Sequence, residues 1–360
     1  AAKEYAKITS VTNFAGQLVD DKFIAISNPA MLSFKPEGKP AFDQAVDRIH
    51  KYIKGEIKPA TEGDYGWINS TAEAKQYLLN VLAKAKDVVA WDTETTALYP
   101  RDGYVLGVSM TYTKKQGRYI LTDCMDEECV ELLQRIALEF DAVFHNMKFD
   151  YKMIKYHLGI EFDRSAVHDT MLMHYALDEN DSHGLKPLAL KYTDYGDYYS
   201  ALDDFKKSYC SANSILQEDF TYDLIPVDII GEYASIDTAV TYELYLKFWP
   251  LIQKSDKLLW VYKNLLLEGT LFLMDMEEVG IPISTERMSA AFNYLTEEIM
   301  QAKELVYSFD AVKAFEKDSG KIFNPNSVVQ LRTVLFDYVG LSPTGKRTGT
   351  GAISTDAEVL

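Results

Sequence analysis

Long apolar runs are missing from this sequence. No stretch approaches the roughly 18 consecutive apolar residues of a membrane-spanning helix. The first residues, AAKEYAKITS, lack the apolar segment of a secretory signal, and they begin at Ala1 rather than Met. That start is expected of a chain numbered after processing or from inside a longer chain. Cysteine is scarce, with only Cys124, Cys129 and Cys210 in 360 residues. So few thiols do not make a disulfide framework, and they point to a reducing compartment. Cys124 and Cys129 also lack the two further soft ligands that a structural zinc site needs nearby. Positive charge is in deficit, with 37 Lys and Arg against 54 Asp and Glu, a net charge of −17. A protein that grips nucleic acid with its whole surface would not be built so. A local basic track on an acidic body remains compatible with that balance. No Ser-His-Asp arrangement and no phosphate-binding glycine loop stands out.

What is present is an ordinary globular composition, 47% hydrophobic and 25% charged. The length allows two domains. Residues 1–65 form an extension of unassigned role. FIAISNPAML reads as a strand and turn, Phe42–Gly55 as an amphipathic helix, and EIKPATEGDYG as a linker. From Ser70 the pattern is clearer. STAEAKQYLLNVLAKAKD is a capped helix. The stretches 102–113 and 117–122 are two strands joined around KKQG, hence a hairpin. Residues 126–140 form a helix, 141–146 a short buried strand, and 147–159 a helix ending at Gly159. Residues 166–177 give a strand and a helix, and 185–192 a short helix. The tyrosine-rich stretch 193–224 reads as irregular or partly helical. A long helix then starts at Pro226 and is expected to end at Pro250. This order predicts a mixed sheet covered by helices on both faces. Beyond Asp256 long helices dominate, so a domain boundary is expected near 250–256. The expected domains are therefore 66–255 and 256–360.

The stretch VVAWDTETTAL (88–98) carries the chemistry. Val88–Trp91 is a buried strand, and the strand period of two sends Asp92 and Glu94 to the same side at its end. Paired carboxylates repel and raise each other's pKa unless a cation lies between them. Hard oxygen ligands of this type suit Mg²⁺ or Mn²⁺. An isolated Asp-x-Glu is more often just two solvated acids, but two further acids change the balance. Asp150 lies in the first turn of a helix. Asp237 lies on or beside the apolar face of the long helix, one turn after Tyr233. Four acids can hold two divalent ions about 4 Å apart, a geometry suited to phosphoryl transfer. One ion would activate a water and the other would stabilise the departing 3′ oxygen. The Tyr233 hydroxyl could orient that water, although a half-buried tyrosine on a helix face is common.

VVAWDTETTAL, VFHNMKFDY and YASIDTAVTYELYLKFWP resemble the three motifs of the DEDD 3′–5′ exonucleases, with Tyr233-x-x-x-Asp237 matching the tyrosine subclass. DTMLMHYAL and GLKPLALKY between the second and third motifs are also similar. The resemblance implies a ribonuclease H-like fold. It implies Asp92, Glu94 and Asp237 on one metal, and Asp92 and Asp150 on the other. Leu98 matches the residue that wedges against the terminal base, and Asn146 one near the substrate strand. The bland readings of these two are a core leucine and a strand-end cap. Residues 256–360, with KIFNPNSVVQLRTVLFDYVG and the basic loop TGKRTGTG, are similar to the opening of the polymerase portion of family A DNA polymerases. There Lys346 and Arg347 would approach duplex phosphates in the thumb. A flexible solvated turn is the bland reading of that loop.

The resemblance covers roughly residues 70–360. The palm and fingers motifs of nucleotide addition are not found, nor is the 5′ nuclease of many bacterial members. The chain is thus expected to be a fragment or one chain of a split enzyme, partnered by the missing palm and fingers. Where many members carry an Arg-His pair, this chain has Ser182 and His183. Its substrate would be single-stranded or frayed DNA at the exonuclease site, with primer-template duplex at the thumb. A bacterial or phage-infected cytoplasm, or an organelle, is the expected setting. Two competitors stand at this point: a free-standing exonuclease of the same superfamily acting on RNA or DNA, and an inert DNA-binding module.

Overall fold

The computed structural model describes residues 63–342 except 197, together with 18–19, 23–24, 26, 28–34, 39–54, 345–348 and 351–355. Two compact units divide between Val279 and Gly280. The first is built on a six-stranded sheet of β1 (Asp64–Ile68), β2 (Val88–Thr95), β3 (Val105–Thr111), β4 (Gln116–Leu121), β5 (Asp141–Phe144) and β6 (Val167–Asp169). Their spatial order is β1-β4-β3-β2-β5-β6. The expected hairpin is the antiparallel pair β3–β4, and β2 also runs antiparallel to β3. The outer pairs β1–β4, β2–β5 and β5–β6 are parallel, so the sheet is mixed.

Helices α1 (Thr71–Lys84), α2 (Glu127–Glu139) and α3 (Met147–Leu158) contribute to one core, and α4 (Thr170–Leu177), α5 (Leu185–Tyr192) and α7 (Val227–Gln253) to another. Between them lies α6 (Ser200–Asn213), the helical part of the stretch expected to be irregular or partly helical. The alternation along β2 sorts its residues between these cores. Val89 and Trp91 join the core with α1, α2 and α3, where Trp91 meets Phe162 edge-on at 5.2 Å between ring centres. Val88 and Ala90 join Ile236, Val240 and Leu244 of α7 in the other.

Two glycines let α7 lie close to the sheet. A Cβ on Gly117 of β4 would sit 2.0 Å from the Ser235 carbonyl oxygen, and one on Gly231 would sit 2.7 Å from the Cβ of Trp67. The helix runs past Pro250, its expected end, to Gln253. Proline removes one amide donor and so one intrahelical bond. This loss falls in the last turn, where fully buried Ile252 keeps the helix on the core.

The first compact unit extends beyond the change of character near 250–256. Residues Asp256–Trp260 form α8, and a π-helical segment (Val261–Leu267) leads into α9 (Glu268–Val279). Leu267, Leu271 and Met274 are buried in the core that contains Trp91. Lys148 and Lys152 of α3 both pair with Glu277, at 2.5 and 2.6 Å, and Arg164 forks onto Asp275 at 2.6 and 2.8 Å. These contacts carry α9 with the sheet.

In the second unit, α10 (Thr285–Ser308), α11 (Asp310–Ser319) and α12 (Val328–Thr333) precede a strand-like bridge between Arg347 and Ile353. The FNPNS turn is locally closed. Asn324 N–H donates to Gln330 Oε1 at 2.7 Å, and the Ser327 hydroxyl caps α12 by accepting from Gln330 N–H at 3.4 Å. In the N-terminal region, Phe23–Ile24 pairs with Leu18–Val19, a 3₁₀ turn follows over Pro29–Ser33, and the expected helix spans Lys39–Ile53. Ile53 near the end of this helix is exposed, and Gly55 and most of the linker after it lie outside the described residues. Among the described residues no helix is long and apolar enough to cross a membrane.

The Gly117 contact is with backbone and does not relax by a rotamer change. Gly117→Ala is expected to destabilise the protein by about 1–3 kcal/mol, the usual cost of overpacking. A urea midpoint equal to that of the wild type would contradict this packing.

Candidate metal centre

The site follows from strand parity. Asp92 and Glu94 share the side of β2 used by Val88 and Ala90, which faces α7. Thr93 shares the side of Trp91, which faces α3. A register shift against β3 falls between Glu94 and Thr95, immediately after the acids. Helix α7 supplies Asp237, and α3 supplies Asp150.

Carboxylate oxygens of Asp92, Glu94 and Asp237 all lie within 4.8 Å of one another. Glu94, Asp237 and Asp150 are buried and Asp92 is half-buried. Asp150 is held from β2. Both the amide and the hydroxyl of Thr93 donate to Asp150 Oδ1, at 2.9 and 2.6 Å. The Tyr198 hydroxyl donates to Asp237 Oδ1 at 2.5 Å. All four acids and Tyr233 line one cleft of about 760 Å³.

These acids are hard to ionise together. Burial raises the pKa of Asp92, and the charges of Asp150, Glu94 and Asp237 add to it. Burial likewise raises Glu94, reinforced by Asp237 and Asp150 and opposed by Lys186. Asp150 is pushed up to about 7 by burial, against the two hydrogen bonds from Thr93. Asp237 is pushed up to about 6 by burial, against the Tyr198 and Tyr233 hydroxyls and Lys186. A divalent cation supplies the missing counter-charge. The converging donors are all carboxylate oxygens, the set that hard ions such as Mg²⁺ and Mn²⁺ take. The residues present therefore fit such an ion at Asp92, Glu94 and Asp237.

The other sequence candidates fall in two places. Leu98 and Asn146 line the same cleft. Leu98 is 76% exposed, so it is not a core leucine. Asn146 takes the left-handed conformation (φ 65°) at the start of α3 and makes no side-chain cap. Asp169 caps instead, accepting from the amides of Asn146 and Met147 at 3.1 and 2.8 Å and of Met171 at 2.8 Å. One buried carboxylate thus fixes the starts of both α3 and α4. Asp169 N–H in turn donates to the hydroxyl of fully buried Tyr262, at 3.0 Å. Lys346 and Arg347 belong to the second unit, where Arg347 donates to the Gly351 carbonyl at 2.8 Å.

Four residues here escaped the reading of the sequence. Thr93 was a spacer between two acids, although its parity aims it at α3. Asp169 sits at the strand-to-helix junction HDTML, an N-cap signal that had gone unused. Tyr198 lies inside the stretch 193–224, where no periodic pattern singles it out. Lys186, over the rings of Tyr199 and Tyr233 at 4.3 and 5.5 Å, had no local signal.

The raised pKa values give a pH dependence. In the folded state Asp150 and Asp237 keep their protons to about 7 and about 6, above the ordinary 3.8. The folded state then binds more protons than the unfolded one. Stability is fully present below the unfolded pKa and is lost as pH rises through the folded values. In chelator, the urea midpoint of the wild type should fall relative to that of Asp150→Asn between about pH 4 and 7, and Mn²⁺ at pH 8 should restore it. A constant difference between the two proteins across that range would contradict the burial of an uncompensated carboxylate.

Comparison with known proteins agrees with this site. Residues 65–253 match the family described as 3′–5′ exonuclease. The chain is 50% identical to the DNA polymerase of Escherichia phage T5 over 345 residues, 94% of this chain and 40% of that one. It is 26% identical to the DNA polymerase of Bacillus phage SP01, covering 80% of this chain and 31% of that one. It is also 26% identical to DNA polymerase I of Synechocystis, covering 90% and 31%. The chain spans two-fifths or less of the length of these relatives. Taken with the acid cluster, the match over 65–253 shows that the chain belongs to the 3′–5′ exonuclease family of family A DNA polymerases.

Proposed function

We propose that the chain removes 3′-terminal nucleotides from single-stranded or frayed DNA, releasing nucleoside monophosphates, as the proofreading part of a family A DNA polymerase. The observation that carries this reading is the convergence of the Asp92, Glu94 and Asp237 carboxylates within 4.8 Å, beside Asp150 in an open cleft. The relatives at 50% and 26% identity are named DNA polymerases, which supports DNA as the substrate and a role in replication.

Asp92, Glu94 and Asp237 would hold one divalent ion, and Asp92 with Asp150 a second. Such a pair supplies an acidified attacking water and neutralises the departing 3′ oxygen. Thr93 holds the Asp150 carboxylate in place by two hydrogen bonds to its Oδ1. Tyr233, one turn before Asp237 on α7, would orient the attacking water through its hydroxyl. Leu98 projects its exposed side chain into the cleft, where it would wedge against the terminal base. Asn146 would meet the strand at the cleft wall. Lys346 and Arg347 would contact phosphates of a primer-template duplex, with 256–360 as the start of a thumb. Palm and fingers would come from the rest of a longer chain or from a second one. The free cysteines Cys124, Cys129 and Cys210 fit a reducing cytoplasm, in a bacterium or a phage-infected cell.

A time course on a 5′-labelled single-stranded DNA oligonucleotide tests the reading. Stepwise shortening from the 3′ end with Mg²⁺ or Mn²⁺, and none in chelator, is expected. Asp92→Ala and Asp237→Ala should each lower the rate by more than ~10²-fold, at least the loss that follows removal of one electrostatic donor at a reacting oxygen. Near-wild-type cleavage by either folded variant would overturn the assignment, and cleavage of RNA alone would move it to a ribonuclease.

A further inference from the structure

A second tyrosine reaches the acid cluster from outside α7. Tyr198 lies on the link between α5 and α6, and its hydroxyl donates to Asp237 Oδ1 at 2.5 Å. Its ring stacks on Tyr233, with centroids 6.1 Å apart and planes 22° apart. It also packs edge-on against Tyr199 at 5.6 Å and lies against the core formed by α7 and β2. Lys186 of α5 sits 4.3 Å above the Tyr199 ring. Tyr198 is therefore pinned by contacts of its own, on both sides.

A carboxylate can turn about its last torsion, and two of its lone-pair directions are wanted by a metal. A short bond from a fixed donor to one oxygen selects one orientation and leaves the other oxygen to the ion. Partners of this kind behind a metal ligand set its affinity. We propose that Tyr198 is a positioning residue of the metal site: its hydroxyl fixes the Asp237 carboxylate toward Asp92 and Glu94. This rests on the exonuclease reading given above. The two tyrosines then have separable work. Tyr198 sets how tightly the ion is held, and Tyr233 sets how fast the water attacks.

Mn²⁺ titration followed by the paramagnetic resonance of free Mn²⁺ tests this on the whole chain, without relying on turnover. Tyr198→Phe keeps the ring and its stacking and removes only the donor. It should weaken Mn²⁺ binding about 10-fold or more at unchanged stoichiometry, the usual loss when a ligand's hydrogen-bond partner is removed. Its exonuclease rate should fall at low Mn²⁺ and recover at saturation. Tyr233→Phe should lose rate at every Mn²⁺ concentration, saturation included. Tyr192→Phe, which removes a hydroxyl bonded to His174 Nε2 at 3.2 Å, serves as a control and should change neither. Thermal unfolding in chelator checks that each variant is folded. Wild-type Mn²⁺ affinity in Tyr198→Phe, or an equal loss in Tyr192→Phe, would overturn the role of Tyr198 alone, provided that Asp237→Ala has lost binding. Wild-type affinity in Asp237→Ala would overturn the metal site and this inference together.

Discussion

Mutual repulsion among buried carboxylates is the constraint from which this structure is best understood. Asp92, Glu94, Asp150 and Asp237 are brought together where water is largely excluded, and each resists ionisation there. Uncompensated buried charge is among the most costly features a fold can carry. Such a cluster persists only if the frame holds it and protons or a cation offset its charge. The protein's own compensation is partial: two bonds from Thr93, the hydroxyls of Tyr198 and Tyr233, and the charge of Lys186. The remaining imbalance is what a divalent ion at Asp92, Glu94 and Asp237 would offset.

The frame works through close approach and shared anchors. Gly117 lets the Ser235 backbone come against β4, and this sets the height of α7 and of Asp237 above the sheet. Asp169 caps two helices at once, and α3 carries Asp150. Tyr262, Leu271 and Met274 come from residues beyond the expected domain boundary, and they support the sheet that bears the acids. The segment 256–279 thus belongs structurally to the unit with the site. Its acids on α9 also neutralise the lysine face of α3.

Much of the site was legible because its residues sit on periodic elements. Asp92 and Glu94 share a face by strand parity, and Tyr233 and Asp237 share one by helical spacing. Capping and glycine signals placed α2 and α3 and the start of α1 within one residue, whereas α1 ends at Lys84, three residues before its expected end. What escaped was long-range. No local rule pairs Thr93 with Asp150 across 57 positions or Tyr198 with Asp237 across 39. The stretch 193–224 was legible only as irregular or partly helical, because the buried side of α6 is narrow, with Leu202 and Cys210. Pro250 was read as a stop because proline breaks helix interiors, but burial of the last turn outweighed one lost bond.

The most direct measurement is anomalous diffraction from crystals equilibrated with Mn²⁺ near neutral pH. The account predicts one peak at ligand distance from Asp92, Glu94 and Asp237, and a second about 4 Å away beside Asp150. Well-ordered carboxylates with no anomalous peak among them at saturating Mn²⁺ would contradict it.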